Sequence, residues 1–287
     1  MSRTDRSDGP LPDPVVRALR CPLCGDRIEF LGNALRCPRR HSFDLAKQGY
    51  VNLLHARVPA GTADTAEMVA ARVDFLAAGH YAPLADAIAA HAARVAGPGL
   101  VVDAGAGTGH YLARVLEELP GRDGLALDVS AMALRRAARA HPRIGAAVWN
   151  LWEPWPVATG SARVLINVFA PRNGTEFRRV LRPGGALVVA SPGHGHLGEL
   201  AARVGLLEVD RDKERRLDAA LSEYFRRVLT EDLVIELTLS PEDARRAVLM
   251  GPNAHHLHKD GRRERLAALD EPVEVTASFT ISVYEPR

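Results

Sequence analysis

The stretch Val101–Gly109 reads V-V-D-A-G-A-G-T-G, and it constrains the fold more than any other part of the chain. An apolar run ends in Asp103. Three glycines follow at alternate positions, and an amphipathic pattern runs from Tyr111 to Leu119. That order is strand, tight turn, helix, the opening unit of a nucleotide-binding α/β sheet. Glycine reaches left-handed backbone angles and carries no Cβ, so a ligand can press directly on the main chain. The helix behind the turn offers unpaired N–H groups at its start. A dinucleotide fingerprint, G-x-G-x-x-G, would need its third glycine at position 110, where this chain has His110.

The spacing D-x-G-x-G-x-G resembles motif I of the class I S-adenosylmethionine (SAM) methyltransferases. The resemblance implies that Asp103, Gly105, Ala106, Gly107, Thr108 and Gly109 cradle SAM. A second apolar run, Leu125–Val129, carries Asp128 near its end. An acid there can accept hydrogen bonds from both ribose hydroxyls. Further on, L-R-P-G-G-A-L-V-V (Leu181 to Val189) resembles the turn and fifth strand of the same fold. The ordered set of three is far more specific than a glycine turn alone. The bland alternative, some other Rossmann-like domain, stays open because fold does not give function.

All three cysteines lie within 17 residues, and His41 follows the last: C-x2-C-x12-C-x3-H, with Cys21, Cys24, Cys37 and His41. Two ligand pairs on tight turns, separated by a short hairpin, build a closed tetrahedral zinc site. Ile28 to Arg36 (I-E-F-L-G-N-A-L-R) reads as strand, Gly-Asn turn, strand. The expectation is a zinc ribbon with a structural Zn2+, because four protein ligands leave no open position. Residues 1–60 carry ten Lys/Arg against six Asp/Glu, while the 287-residue chain as a whole is only +2. A basic module on a near-neutral body suits a polyanionic partner. Arg27, Arg36, Arg39 and Arg40 are the candidate RNA contacts.

The segment after His41, F-D-L-A-K-Q-G-Y-V-N-L-L, makes the resemblance closer. Ribbon, this segment and then a SAM fold is the arrangement of the 23S ribosomal RNA guanine-N1 methyltransferases, a family that includes macrolide-resistance enzymes. The similarity also runs through D-T-A-E-M-V-A-A-R (Asp64 to Arg72), F-L-A-A-G-H-Y-A-P-L (Phe75 to Leu84) and S-P-G-H-G-H-L-G-E-L (Ser191 to Leu200). It implies that Tyr81 lies over the cofactor and that His196 sits near SAM. Their bland readings are a half-buried linker tyrosine and a helix N-terminal cap. Family members are reported as dimers, so a homodimer is implied as an option by the resemblance alone. A 23S rRNA hairpin loop near the peptide exit tunnel is the implied substrate.

The expected organisation is a disordered leader (1–20), the ribbon (21–57), a helical linker and cofactor lid (58–98), and a class I methyltransferase domain (99–287). Asp64 can cap a helix with Glu67 as its third residue. The fold class is α/β, a seven-stranded, mostly parallel, doubly wound sheet. Strands are expected near 100–104, 124–129, 146–150, 163–169, 185–190, 233–239 and 273–285. Helices are expected near 110–119, 131–140, 174–181, 196–204, 212–228 and 241–249. The histidine-rich Gly251–His258 reads as a flexible active-site loop more readily than as a second metal site. No apolar run is long enough to span a membrane and no signal peptide opens the chain, so a cytoplasmic enzyme is expected.

The fourth strand ends in I-N-V-F-A-P-R (Ile166 to Arg172) instead of the (D/N)-P-P-(Y/F) of many amino-group methyltransferases. That fits a ring-nitrogen target. Guanine N1 is a poor nucleophile while protonated, so its proton must be accepted. His196, His194 and, as an orienting group, Asn167 are the candidates; Phe169 could stack on a base or belong to the core. Two rivals stand beside the rRNA reading. One is a small-molecule SAM methyltransferase of secondary metabolism. The other is a non-catalytic zinc-ribbon RNA-binding protein.

Overall fold

The computed structural model describes residues 10–55, 63–95, 97–206, 221–258 and 260–287. An eight-stranded sheet forms its centre, in the order β10-β11-β9-β8-β5-β6-β7-β4. Its parallel strands are β4 (Tyr50–Asn52), β5 (Leu100–Ala104), β6 (Gly124–Asp128), β7 (Ile144–Val148), β8 (Ala162–Val168) and β9 (Leu181–Pro192). The closing strand, β11 (Val273–Pro286), runs antiparallel to both β9 and the edge strand β10 (Phe225–Leu239). β5 and β7 are buried along their whole length, as parallel strands covered on both faces must be. Alternate residues serve opposite faces: Val101 joins one apolar cluster and Val102 the other.

The chain leaves β5 toward β6 and β7, then crosses back to β8 on the other side. The strand order therefore reverses between β5 and β8, and a cleft opens beyond their carboxyl ends. Helix α4 (His110–Glu118) follows the glycine turn and buries Leu112, Val115 and Leu116, one face at i, i+3, i+4 spacing. Helix α5 (Ala131–Ala140) starts at Ser130, whose side chain accepts from Ala133 N–H.

The ordered fold begins earlier than expected. Helix α1 (Asp13–Ala18) lies within the segment read as a disordered leader. Leu11, Val15, Val16 and Leu19 are buried, and Leu19 forms a bridge with Val157. A Cβ on Gly145 would come within 2.8 Å of Val15, so that glycine makes room for the helix on β7. Residues 1–9 of the expected leader lie outside the described residues.

The sheet has one strand more than the expected seven. β4, from the F-D-L-A-K-Q-G-Y-V-N-L-L segment, pairs with β7 through Tyr50–Asn52. The ribbon itself is a three-stranded antiparallel sheet: β1 (Glu29–Leu31), β2 (Ala34–Arg36) and β3 (Ser42–Asp44). Gly32, at φ +62°, and Asn33 make the predicted turn.

Helix α2 (Ala66–Ala77) is capped by Thr65 through Met68 N–H, not by Asp64. Asp64 instead pairs with Arg72. Helix α3 (Ala82–Ala93) follows with Pro83 in its first turn. Helix α6 (Gly174–Val180) leads into β9, and α7 (Gly198–Val204) starts two residues later than expected. The helix expected at 212–228 is contradicted at its end: residues 225–228 open β10, and 212–220 lie outside the described residues. Arg226, Arg227, Glu231 and Asp232 lie exposed along this edge strand, where charge discourages further pairing. Helix α8 (Pro241–Leu249) matches its expected bounds, and a 3₁₀ turn (Pro252–His256) and α9 (Arg262–Ala267) follow. Among the described residues no helix is long and apolar enough to cross a membrane.

Candidate functional site

The ribbon brings Cys21, Cys24, Cys37 and His41 together, with their ligand atoms all within 4.8 Å of one another. His41 Nδ1 lies 3.4 Å from both Cys21 Sγ and Cys37 Sγ, and Cys24 Sγ lies 3.7 Å from Cys37 Sγ. Tetrahedral zinc, with bonds of ~2.3 Å to sulfur and ~2.0 Å to nitrogen, spaces its ligands by roughly 3.5–3.8 Å. The donor set therefore fits Zn2+ and leaves no position for water or substrate. Among the described residues no second grouping of this kind exists. Arg27, Arg36, Arg39 and Arg40 are all exposed on the ribbon. Arg39 is paired with Asp26 at 3.1 Å, and Arg36 donates to Ser42 Oγ at 3.2 Å.

The glycine turn is held by main chain. Gly105 N–H and Ala106 N–H both donate to Leu127 O, at 2.8 and 3.0 Å. The three glycines adopt φ of +88°, +51° and +78°, which side-chain-bearing residues rarely tolerate. A Cβ on Gly105 would lie 2.3 Å from Ala170 Cβ, and one on Gly109 would lie 2.8 Å from Ala137 Cα. These two glycines let neighbouring backbone close in. A side chain on Gly107 would meet the Arg72 guanidinium first, at 3.2 Å.

Asp128 accepts from Gly107 N–H and Ser130 N–H, both at 2.8 Å, one on each carboxylate oxygen. Burial raises its pKa, and these bonds oppose the rise. Asp103 is fully buried, and its Oδ1 has no hydrogen-bond partner in the structure. Burial, and then the nearby Asp128 charge, hold its pKa well above the carboxylate range. A buried acid without a partner is costly unless a donor arrives. The ammonium of SAM is such a donor, and the ribose diol suits the remaining lone pairs of Asp128. The residues present therefore fit SAM.

Tyr81 and His196 pack against each other and against Phe279. The Tyr81 hydroxyl lies 3.2 Å from His196 Nε2, and His196 Nδ1 lies 2.8 Å from Ser278 O. A carbonyl only accepts, so Nδ1 carries the proton and Nε2 receives the Tyr81 hydroxyl. Burial pulls the His196 pKa down to about 4, so the ring is neutral at pH 7. His196 precedes α7 and does not cap it; Leu197 holds the cap position with no side-chain bond. Tyr81 is 1% exposed and wedged edge-on against Phe75 and Phe279.

Asn167 is buried, and its amide nitrogen donates to Ala104 O at 2.9 Å and Pro171 O at 3.1 Å. It ties the end of β5 to the loop after β8. Phe169 follows at φ +54°, an uncommon angle for an aromatic residue, yet is 44% exposed. Its ring borders Tyr111, His196 and Phe279, with centroids 5.9–6.5 Å apart. His194 is exposed. Sequence reasoning missed Arg72, which reaches the glycine turn from α2. The available signal was a lone arginine closing the D-T-A-E-M-V-A-A-R motif.

The zinc-ribbon family model described as "RlmA, N-terminal" matches residues 19–58. A protein of Streptomyces fradiae named 23S rRNA (guanine(748)-N(1))-methyltransferase is 49% identical, over 95% of this chain and 98% of its own. A protein of Micromonospora griseorubida, assigned provisionally to 23S rRNA (guanine-N(1)-) methylation, is 51% identical over 96% of this chain and 99% of its own. Among solved structures, the YcgJ protein of Bacillus subtilis is similar, with a TM-score of 0.48 and 12% identity over 71% of this chain and 98% of that one. With its ribbon, its SAM-type glycine turn and near-full-length similarity at about half identity, this chain belongs to the 23S rRNA (guanine-N1)-methyltransferase family.

Proposed function

We propose that this enzyme methylates the guanine equivalent to the one specified in the name of its S. fradiae relative, guanine 748 of 23S rRNA. The substrate is a hairpin loop near the peptide exit tunnel, where a methyl group hinders macrolides of the tylosin type. The observation that carries the reading is 49% identity to that relative over 95% of this chain, a span that takes in both ribbon and methyltransferase body. The work is cytoplasmic, on the ribosome or its precursors.

When bound, SAM supplies a sulfonium methyl; the bond from N1 forms as the S–C bond breaks, and N1 loses its proton. The protein's part is mainly alignment. Asp103 and Asp128 anchor the donor, and α2 and α3 cover it. Phe169, held outward by its backbone, gives a flipped-out guanine a ring to stack on. Neutral His196 fixes the Tyr81 hydroxyl. Its Nδ1 proton is given to Ser278 O and its Nε2 takes the Tyr81 hydroxyl, so its role is positioning, and the N1 proton is lost to a base from solvent. The exposed ribbon arginines grip the hairpin phosphates.

Primer extension tests the position, because a methyl on N1 blocks reverse transcription. Treated wild-type 23S rRNA is expected to stop at that one guanine, and a transcript with adenine there is expected to run through. A stop elsewhere, or none, would refute the assignment.

A further inference from the structure

Arg72 stands where no established role places it. It lies in the seventh position of α2, and its guanidinium faces Gly107 of the glycine turn, with Nη1 3.2 Å from where a Cβ on that glycine would stand. Two braces hold it there. One Nη is paired with the Asp64 carboxylate, and the other donates to Met250 O, at the end of α8, at 2.6 Å. The same cover is tied down beside it by His80–Asp243 at 3.3 Å and Arg246–Asp74 at 3.8 Å. Only about a quarter of the Arg72 side chain is exposed.

The charges of SAM sort themselves against this arrangement. Asp128 suits the ribose, and Asp103 suits the ammonium. What remains is the amino-acid carboxylate, an anion that cannot be buried cheaply without a partner. A guanidinium has five donors in a planar fork that matches a carboxylate. Arg72 already grips one carboxylate, that of Asp64, and Met250 O takes a single further donor. Three N–H groups remain for a ligand.

We propose that Arg72 binds the carboxylate of SAM, joining the α2 cover to the amino-acid end of the cofactor. The inference rests on the cofactor reading above. It makes Arg72 a cofactor-binding residue and gives the cover a way to sense whether SAM is present: the ligand's own charge completes the contact.

The test compares SAM with decarboxylated SAM, which keeps the sulfonium, the amine and the adenosine and lacks only the carboxylate. Calorimetric titrations are made with the wild-type protein, Arg72→Met and Arg72→Lys. Arg72→Met is expected to weaken SAM by about tenfold or more, as loss of a charge-assisted bond does. Decarboxylated SAM should bind the variant and the wild type alike. Arg72→Lys should fall between, since it keeps the charge and loses the fork. Unchanged SAM affinity in Arg72→Met would overturn the proposal. An equal loss for both ligands would also overturn it, because Arg72 would then only brace the turn. If the wild-type protein bound neither ligand, the cofactor reading would fall first and this inference with it.

Discussion

Cys24→Ser is expected to strip the metal from the ribbon and to weaken binding of the 23S hairpin by at least ~10-fold, or about 1.4 kcal/mol. One thiolate of four is lost. Metal affinity in small modules of this kind is folding free energy, of order 10–16 kcal/mol for zinc-finger peptides. The three strands of the ribbon have only three residues each, too few to hold a sheet unaided. The methyltransferase body should survive. Cys21, Ile28, Leu35 and Cys37 share an apolar cluster with Val102 and Leu125, but the glycine turn is fixed by Leu127 O and Asp128, which the ribbon does not supply. Metal analysis, RNA filter binding and SAM calorimetry read the three parts separately. Hairpin affinity equal to the wild type in metal-free protein would remove the ribbon from RNA recognition.

Asp128→Ala should lower SAM affinity by ~100-fold or more, the largest effect expected of a single change in the cleft. Two effects combine. The ribose loses two hydrogen bonds to a charged acceptor, each worth about 1.5–3 kcal/mol. The turn also loses its tie at Gly107 N–H and the loop its tie at Ser130 N–H. Asp128→Asn keeps one acceptor oxygen and most of the shape, so a loss near ~10-fold separates the ribose contact from the collapse of the turn. Calorimetry on both variants, with urea melts to check folding, decides the matter. Affinity within a few-fold of wild type in Asp128→Ala would place the ribose somewhere else.

What could be read directly from the sequence was chemistry written in consecutive residues. The metal ligands declare themselves because each pair sits on one turn. The glycine turn does so because positive φ at three alternate positions leaves almost no other residue type possible. The strands from β5 to β9 were legible as apolar runs bounded by turn residues.

What stayed hidden depends on distant partners. Leu11, Val15 and Leu19 look like a polar leader's stray apolar residues until Gly145 on β7 is seen to leave space for Val15. Tyr50–Asn52 is three residues long, and only the open edge of β7 makes it a strand. Residues 225–231 carry the charge of a surface helix because they form a sheet edge, where outward positions meet water. Asp64 has the composition of a helix cap, and it was Arg72, eight residues on, that drew it away. Asn167 reads as an orienting group in a motif, and only the fold shows its amide nitrogen donating to the backbone carbonyls of Ala104 and Pro171.

The central claim is that a zinc-clamped ribbon and a SAM cleft on one body deliver a methyl group to the ring nitrogen of one rRNA guanine. Purified protein incubated with methyl-labelled SAM and unmodified 23S rRNA tests it most directly. The account predicts close to one methyl per rRNA, recovered as 1-methylguanosine after digestion. Label on a small metabolite but not on rRNA, or label on rRNA recovered as any other nucleoside, would contradict it.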